Sequence, residues 1–510
     1  MSRVVVIGAG LAGLSAACRI AAQGHDVTVI ERDREIGGRA GVLRRDGFTF
    51  DTGPTVLTMP ELIDDTLKAA GSSLAERLTL RRLDPAYRAR FADDSVIDVR
   101  ADPTDMLDEI ARTCGPDDAA SFRDFIDWLT ALYELELPHF IDVNYRTPLD
   151  LLRSPGAASR LIRMRAFGRL GPTIGRRFSD PRLQRLLSFQ ALYAGLSPEQ
   201  ALALYAVITY MDTVAGVWFP EGGMHALPRA LAEAFIDAGG ELLLDQPVTG
   251  LITDRNGRVA GVRTEHDRLT ADAVVCTLDP AAAYRLMVPD LRPPRTVRSG
   301  RYAPSALVWH VGVRGLPDSS IRHHNIHFGH SWEGAFGAMI RRGELMPDPS
   351  RLVSVPSLDE PSMAPPGCST LYVLEPVPHL GGSVDWRREA EPMRHRLLQF
   401  LSTAGYPTDI VTEKLITPLD WYRQGLAHGT PFSLAHTFGQ TGPFRPPNHL
   451  RRRPGLYFAG SGTVPGVGVP MVILSGKLAA ERVGSYLGSD RANEAAQPQR
   501  GAPWPGSRSR

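Results

Sequence analysis

The chain's 510 residues carry 57 basic and 56 acidic side chains, a formal net charge of +1, with 43% hydrophobic and 22% charged residues. That balance excludes a nucleic-acid protein working through bulk charge and a disordered chain, and the length predicts two or more structural units. Apart from Lys68, Lys414 and Lys477 every basic residue is arginine, a bias that a GC-rich genome explains without a functional cause. Cys18, Cys114, Cys276 and Cys368 lie far apart with no CxxC pair, so neither disulfides nor structural zinc are expected, as suits a reducing cytosolic side. Val4–Ala17 is apolar like a signal peptide, but it lacks a charged leader and is punctuated by Gly8, Gly10 and Gly13, which predicts folded structure. No apolar run reaches the roughly 18 residues of a spanning helix, so any membrane contact is expected to be peripheral.

Val4–Ile7 is a β-branched run with no polar face, as a buried parallel strand requires. Gly8-Ala9-Gly10-Leu11-Ala12-Gly13 follows, and Leu14–Gln23 reads as a helix closed by Gly24. Gly8 would make the tight turn, Gly10 would admit a pyrophosphate to the backbone, and Gly13 would let helix and strand approach, with the helix N-terminus facing the phosphates. Val27–Ile30 is the second strand, and Glu31 at its end stands where a carboxylate accepts both ribose hydroxyls. That acid repels the 2′-phosphate of NADP and suits FAD or NAD. Gly37-Gly38-Arg39 then resembles the extended FAD motif, with Arg39 near the pyrophosphate. No second GxGxxG follows a strand, so no separate nicotinamide domain is expected.

Glu241–Leu244, Val248–Asp254, Val259–Arg263 and Ala273–Thr277 read as strands of a small insertion that returns to the first unit. A third cofactor-associated piece begins with the strand Gly455–Gly460, continues through the loop Ser461–Pro470, and ends in a helix over Met471–Leu487. Of the two large insertions between these pieces, Asp84–Phe219 is mostly helical by pattern, and Ala281–Arg453 carries strands such as Ala306–Val313 and Thr370–Leu374. From Leu151 to Ser179, Arg153, Arg160, Arg163, Arg165, Arg169, Arg176 and Arg177 stand with no acid, interleaved with Leu161, Ile162, Met164, Phe167 and Leu170. Such a segment either lies on anionic lipid headgroups or is a solvated face pairing with acids elsewhere.

Taken together, these pieces resemble the phytoene desaturase family, the bacterial and fungal carotenoid desaturases within the flavin amine-oxidase-like superfamily. The resemblance rests on Gly47–Thr55 (GFTFDTGPT), Gly216–Met224 (GVWFPEGGM), Ala364–Val373 (APPGCSTLYV) and Gly460–Val472, and in order and spacing it runs from about Arg3 to Leu487. It implies successive dehydrogenation of a long polyene hydrocarbon, most often phytoene to lycopene, with FAD as sole cofactor, quinone or oxygen as electron acceptor, and monotopic attachment to a membrane from which substrate is drawn. It also tips the arginine-rich segment toward a membrane face on the inner side of the cell membrane, and the protein toward a cytoplasmic, peripherally attached enzyme with no nucleic-acid partner.

The expected fold is α/β: a Rossmann-type, doubly wound FAD-binding domain assembled from 1–83, 220–280 and 454–487, with an α+β substrate-binding domain from 84–140 and 281–453. A helical, membrane-associating subdomain over 141–219 and a disordered tail over 488–510 complete it. The candidate cofactor-binding residues are Gly8, Gly10, Ala12, Gly13, Glu31, Arg32, Gly38, Arg39, Gly53, Pro54, Thr55, Val248, Gly460, Ser461, Gly468, Val469 and Met471. A C40 hydrocarbon offers no polar handle, so its tunnel should be apolar, and hydride acceptance belongs to the flavin. The N-terminus of the last helix is expected to stabilise negative charge on the reduced ring. For the proton, Asp150 and Arg153 are the candidate catalytic pair, three apart on one helix face; the competing reading is a capping carboxylate with an i,i+3 partner.

His323–His330 looks like a metal cluster, but its alternation fits a strand and no cysteine or acid completes a shell, so no metal is expected. Hydrolysis lacks a G-x-S-x-G elbow. Other polyene chemistry remains the alternative: desaturation of C30 or hydroxylated carotenoids, or cis–trans isomerisation. Amine oxidation would need an aromatic cage and a lysine at the flavin, and a non-enzymatic flavoprotein is the remaining class.

Overall fold

In the structure, a computed structural model that describes residues 1–496, the run that opens the chain is the middle strand of a five-stranded parallel sheet. The order is Leu456–Phe458, Ala273–Cys276, Arg3–Ile7, Asp26–Ile30, Glu241–Leu243, with Val5 paired to Val274 on one side and Thr28 on the other. Side chains alternate across a strand, so Val4 and Val6 face one core and Val5 and Ile7 another. The first core is closed by the Leu11–Ala22 helix, which packs against both the Ala226–Asp237 and Val469–Ala496 helices. The second is closed by the antiparallel sheet Val248–Thr253, Val259–Thr264, Arg268–Thr270 and by the Pro280–Met287 helix. Burial on both faces explains the run of β-branched residues; each such side chain contributes about 1.5–3 kcal/mol.

This order is Rossmann-type. After Arg3–Ile7 the chain moves to Asp26–Ile30 on one side, and Ala273–Cys276 pairs on the other, so the order switches beside the first strand and Gly8 sits at its carboxyl end. Two of the strands read as belonging to the small insertion, Glu241–Leu243 and Ala273–Cys276, are instead members of the parallel sheet.

The second sheet has seven strands, in the order Asp409–Ile416, Ser305–Arg314, Cys368–Val377, Arg351–Ser354, His324–Phe328, Tyr87–Phe91, Val96–Val99. Its last two strands come from the stretch read as mostly helical, and they join through the parallel pairing of Tyr87–Phe91 with His324–Phe328. The Trp386–Thr403 helix covers one face with Trp386, Met393, Leu397 and Leu401. Against the other lies the hairpin Val42–Arg45, Phe48–Asp51: Phe50 meets His310, and Phe48 stands so close to Gly312 that a Cβ there would lie 2.7 Å from its ring. After the hairpin the chain returns to the parallel-sheet unit, where the Pro60–Ala69 helix packs on the Leu11–Ala22 and Val469–Ala496 helices, before it enters the second sheet at Tyr87–Phe91.

Residues 141–219 form short helices, among them Pro155–Arg163, Leu170–Gly175 and Pro181–Leu186. Among the described residues no helix is long and apolar enough to cross a membrane. The final helix runs to Ala496 rather than ending at Leu487, which corrects the first part of the expected tail; residues 497–510 lie outside the described residues. The run Arg491–Ala496 (RANEAA) is made largely of good helix formers and sustains that extension.

Candidate functional site

The site begins where the first strand ends. Gly8 donates its N–H to the Ile30 carbonyl at 2.8 Å, tying the glycine turn to the second strand. A Cβ on Gly13 would lie 2.0 Å from the Gly8 carbonyl oxygen, so the helix approaches the turn more closely than any side chain permits. Gly10 is different. A Cβ there would meet only the Gly37 carbonyl, at 3.7 Å, so the surface above Gly10 is open. Ala12 is buried in the first turn. Glu31 is buried as well, one carboxylate oxygen accepting from Ala9 N–H at 2.8 Å and the other from Asp33 N–H at 3.1 Å. Arg32 turns outward, its side chain 53% exposed, toward Asp33 and the Gln424 carbonyl. Val248 is buried two residues beyond Gln246, whose N–H reaches the Glu31 carbonyl at 2.9 Å.

The second glycine turn lies against the first: Gly37 donates to the Ala9 carbonyl at 2.9 Å, and Gly38 stays exposed. Arg39 joins sequence-distant segments, donating to Ser461 Oγ at 2.8 Å and to the Pro431 carbonyl. Burial lowers its pKa, and the charge of Asp279 opposes that. Gly53 completes this corner, since a Cβ would stand 1.9 Å from the Arg39 carbonyl oxygen. Pro54 and Thr55 follow, half-buried, and the Thr55 carbonyl faces His324 Nε2 at 3.0 Å.

The third piece closes the cleft. Gly460 donates to Ser475 Oγ at 2.9 Å, the Ser461 carbonyl accepts from Arg445 at 2.6 Å, and the Gly468 carbonyl accepts from Val472 N–H as the final helix begins. Val469 and Met471 stand half-buried in that first turn. Met471 packs with Met59, Val207, Met211, Tyr133 and Leu137 in one apolar cluster. The structure thus gathers the predicted cofactor residues from three sequence-distant pieces around the carboxyl end of the first strand, with Arg32 facing out.

Asp150 and Arg153 are not among them. The Asp150 carboxylate accepts from the N–H groups of Thr147 (3.0 Å) and Arg146 and pairs with Arg153 at 2.9 Å. Those bonds complete a capping box on the Pro148–Arg153 turn and hold the carboxyl below its ordinary pKa, the backbone of Thr147 first. The capping reading accounts for both residues without chemistry. Lys477, in the last helix, pairs with Asp142 and Glu481. Among the described residues no three His, Cys, Asp or Glu side chains converge to hold a metal ion; His323 bonds Asp359, and His327 bonds Tyr406.

Of the further residues that hold the site together, only Asp51, inside the Gly47–Thr55 stretch, carried a sequence signal. Arg445 is buried and, among the described residues, has no carboxylate in contact, donating instead to the carbonyls of Thr463, Leu434, Gln440 and Ser461, which fixes the loop of the third piece; burial brings its pKa down to about 10. Asp51 accepts from the N–H groups of Met224 (2.9 Å) and His225 (3.0 Å), and burial pushes it up to about 6. Asp279 caps the Pro280–Met287 helix through Ala281 N–H and is likewise raised to about 6 by burial, against Arg39. Asp212, only 4% exposed, has one oxygen without a partner beside the Tyr87 hydroxyl, and burial pushes it up to about 7.

These residues fit a flavin dinucleotide. The surface above Gly10 is open where a diphosphate must approach, and Glu31 sits at the ribose position. Ser433, beside Gly462, has a buried hydroxyl with no hydrogen-bond partner among the described residues, which a polar ligand in the cleft would satisfy.

Comparison with known proteins agrees. The family model described as flavin containing amine oxidoreductase matches residues 11–484. The chain is 50% identical over 491 residues to a phytoene dehydrogenase of Streptomyces griseus, covering 95% of each chain. It is 37% identical to a zeta-carotene-forming phytoene desaturase of Myxococcus xanthus (94% of this chain, 93% of that one). Identity to a 4,4′-diapophytoene desaturase of Staphylococcus aureus is 32%, over 94% of this chain and 98% of that one. Among solved structures, an oxidoreductase from Methanosarcina mazei shares the fold with a TM-score of 0.62 at 19% identity (94% and 100% covered). A cyclohexylamine oxidase from Brevibacterium oxydans does so with 0.58 at 18% (96% and 99%).

Proposed function

Because the chain belongs to the phytoene desaturase family of the flavin-containing amine oxidoreductases and uses FAD, we propose that it desaturates phytoene to lycopene by successive dehydrogenations. The observation that carries the reading is the 50% identity, over nearly the whole chain, to a phytoene dehydrogenase; identity falls through the zeta-carotene-forming and the C30-type relatives. When bound, FAD supplies the hydride acceptor. The protein's part is to bind, orient and exclude water. Gly10 and Glu31 hold the dinucleotide, and Arg39 and Arg445 lock the third piece against the first. The final helix begins at Val469, directly after the Ser461–Gly468 loop, where its N-terminal dipole would favour negative charge, and the apolar cluster of Met59, Val207, Met211 and Met471 beside that first turn suits a substrate without polar groups. Quinone or oxygen takes the electrons.

Substrate of this kind resides in a bilayer, and one surface suits it. Leu149, Leu152, Ile162 and Phe167 are 72%, 69%, 66% and 44% exposed, an unusual concentration for one segment. Among the described residues Arg160, Arg163 and Arg165 beside them have no acidic partner. This supports peripheral attachment on the cytoplasmic face of the cell membrane. Purified FAD-loaded protein with phytoene-loaded vesicles tests the function: product absorption should advance to that of lycopene. Accumulation of zeta-carotene alone, preference for a C30 substrate, or isomerisation without loss of hydrogen would overturn it.

A further inference from the structure

One strongly charged cleft has no part in holding the dinucleotide. It lies between the Asn144–Arg153 segment, the turn at Arg451 and the last helix at Arg482, and encloses about 700 Å³. Arg146, Arg153, Arg451 and Arg482 line it together. Glu481 is the only carboxylate in the lining, and it is already held by Asn144 at 2.7 Å and by Lys477 at 3.7 Å. Asp150 engages Arg153 at 2.9 Å. Among the described residues the other three arginines have no ion pair. Arg451 donates to the Arg146 carbonyl at 2.7 Å and Arg482 to the Tyr145 carbonyl at 2.5 Å, which brings their guanidinium groups to one wall. The Nε of Arg482 and the Nδ1 of His449 are buried there with no hydrogen-bond partner. Burial and the charges of Arg146 and Arg451 together depress Arg482, and burial with Arg482 and Arg451 pushes His449 down to about 4. Crowded like charges with unmet donors are costly unless an anion joins them, and guanidinium forks match phosphate oxygens.

The rim identifies the source of the anion. Leu149 and Leu152, 72% and 69% exposed, are carried on the same Pro148–Arg153 turn that brings Arg153 to the cleft. A ligand with a phosphate in the cleft and a hydrocarbon chain along these leucines satisfies both features, whereas a free phosphate ester leaves the leucines in water. We propose that the cleft binds the phosphate of an anionic lipid headgroup and so fixes how the protein sits on the bilayer. The inference rests on the peripheral attachment proposed above and adds to it a discrete headgroup site, on residues distinct from the Arg160–Arg165 face.

The test uses full-length FAD-loaded protein and sedimentation with vesicles of phosphatidylcholine alone or mixed with phosphatidylglycerol. Replacing Arg146 and Arg451 by serine should weaken binding to the mixed vesicles by about fivefold per arginine, roughly 25-fold together, with little change on phosphatidylcholine. Retained FAD content reports that the variant is folded, and Arg146→Lys with Arg451→Lys should recover part of the loss. If Arg146→Lys with Arg451→Lys recovers the whole loss, the effect is diffuse charge and the discrete site is wrong, because lysine keeps the charge and lacks the guanidinium fork. An unchanged preference for phosphatidylglycerol in the Arg146→Ser, Arg451→Ser protein also overturns it. If glycerol phosphate in solution binds as tightly as the vesicles do, the ligand is a soluble ester and the lipid assignment fails. Failure of the unmodified protein to sediment with either vesicle rejects peripheral attachment itself, a result distinguishable from the loss of headgroup preference alone.

Discussion

Gly10→Ala and Gly13→Ala separate binding from folding at a distance of three residues. At Gly10 the backbone is extended, φ −80° and ψ 173°, which alanine adopts freely, and its Cβ would touch only the Gly37 carbonyl at 3.7 Å, an ordinary contact. Folding stability should therefore move by no more than about 0.5 kcal/mol. The new methyl group, however, fills the surface a diphosphate must reach. Loss of one charge-assisted hydrogen bond costs about 1.5–3 kcal/mol, roughly a 10- to 150-fold rise in Kd for FAD. At Gly13 the Cβ would lie 2.0 Å from the Gly8 carbonyl oxygen and 3.3 Å from Val6 Cγ1. Relief requires moving the helix off the sheet, an overpacking cost of about 1–3 kcal/mol or more. The assay is thermal unfolding of FAD-stripped protein across a titration of FAD, because bound ligand stabilises by RT ln(1 + [L]/Kd). Gly10→Ala should unfold like the parent without FAD and show a displaced, weakened response to it; Gly13→Ala should unfold earlier throughout. Normal FAD affinity in Gly10→Ala, or equal destabilisation by both substitutions, would refute the assignment of Gly10 to the diphosphate surface.

Three further outcomes follow from named contacts. Arg445→Leu strands the carbonyls of Thr463, Leu434, Gln440 and Ser461 in the interior; at about 1–3 kcal/mol per unsatisfied group, the variant should lose most soluble yield and FAD, while Arg445→Lys retains a fraction of both. Asp212 is raised in the folded state to about 7, so the native protein binds the extra proton. Its contribution is complete below about pH 4, the ordinary carboxyl range, and is lost as pH rises to about 7. Asp212→Asn should consequently be more stable than the parent at pH 8 by a few kcal/mol, with the gap closing at pH 4, as read from urea midpoints; a gap that does not change with pH would contradict the burial argument. Asp150→Asn should leave product formation by FAD-loaded enzyme near normal, since the carboxylate serves its own turn; a large loss of turnover with full FAD occupancy would return Asp150 to the chemistry.

The cradle was legible in the sequence because its parts are local. Strand, glycines, helix, second strand and Glu31 lie within the first 31 residues, and each has a steric or electrostatic reason visible in the residue type. What failed was register over long separations. Glu241–Leu243 and Ala273–Cys276 were legible as strands but not as members of the parallel sheet, because a short apolar run does not say which neighbour it pairs with. Tyr87–Phe91 went unread because its place depends on His324–Phe328, far along the chain. Composition misjudged the end of the last helix, where Gly488 and Ser489 precede a run of helix formers.

The same separation explains why sequence signatures that read as independent are parts of one device. The stretch Gly47–Thr55 and the stretch Gly216–Met224 meet through Asp51, whose carboxylate holds the backbone of Met224 and His225 where the Ala226–Asp237 helix begins. Arg39 ties the second glycine turn to Ser461, and Arg445 ties Ser461 to the Leu434 and Gln440 loop. None of these contacts touches the surface above Gly10, yet each sets the spacing of the pieces that surround it. FAD affinity and folding stability are therefore coupled through Arg39 and Arg445. The coupling accounts for a cradle whose local motif is complete by Arg39 but whose third wall waits for residues 445–471: the first segment can form the turn, and only the whole chain can close it.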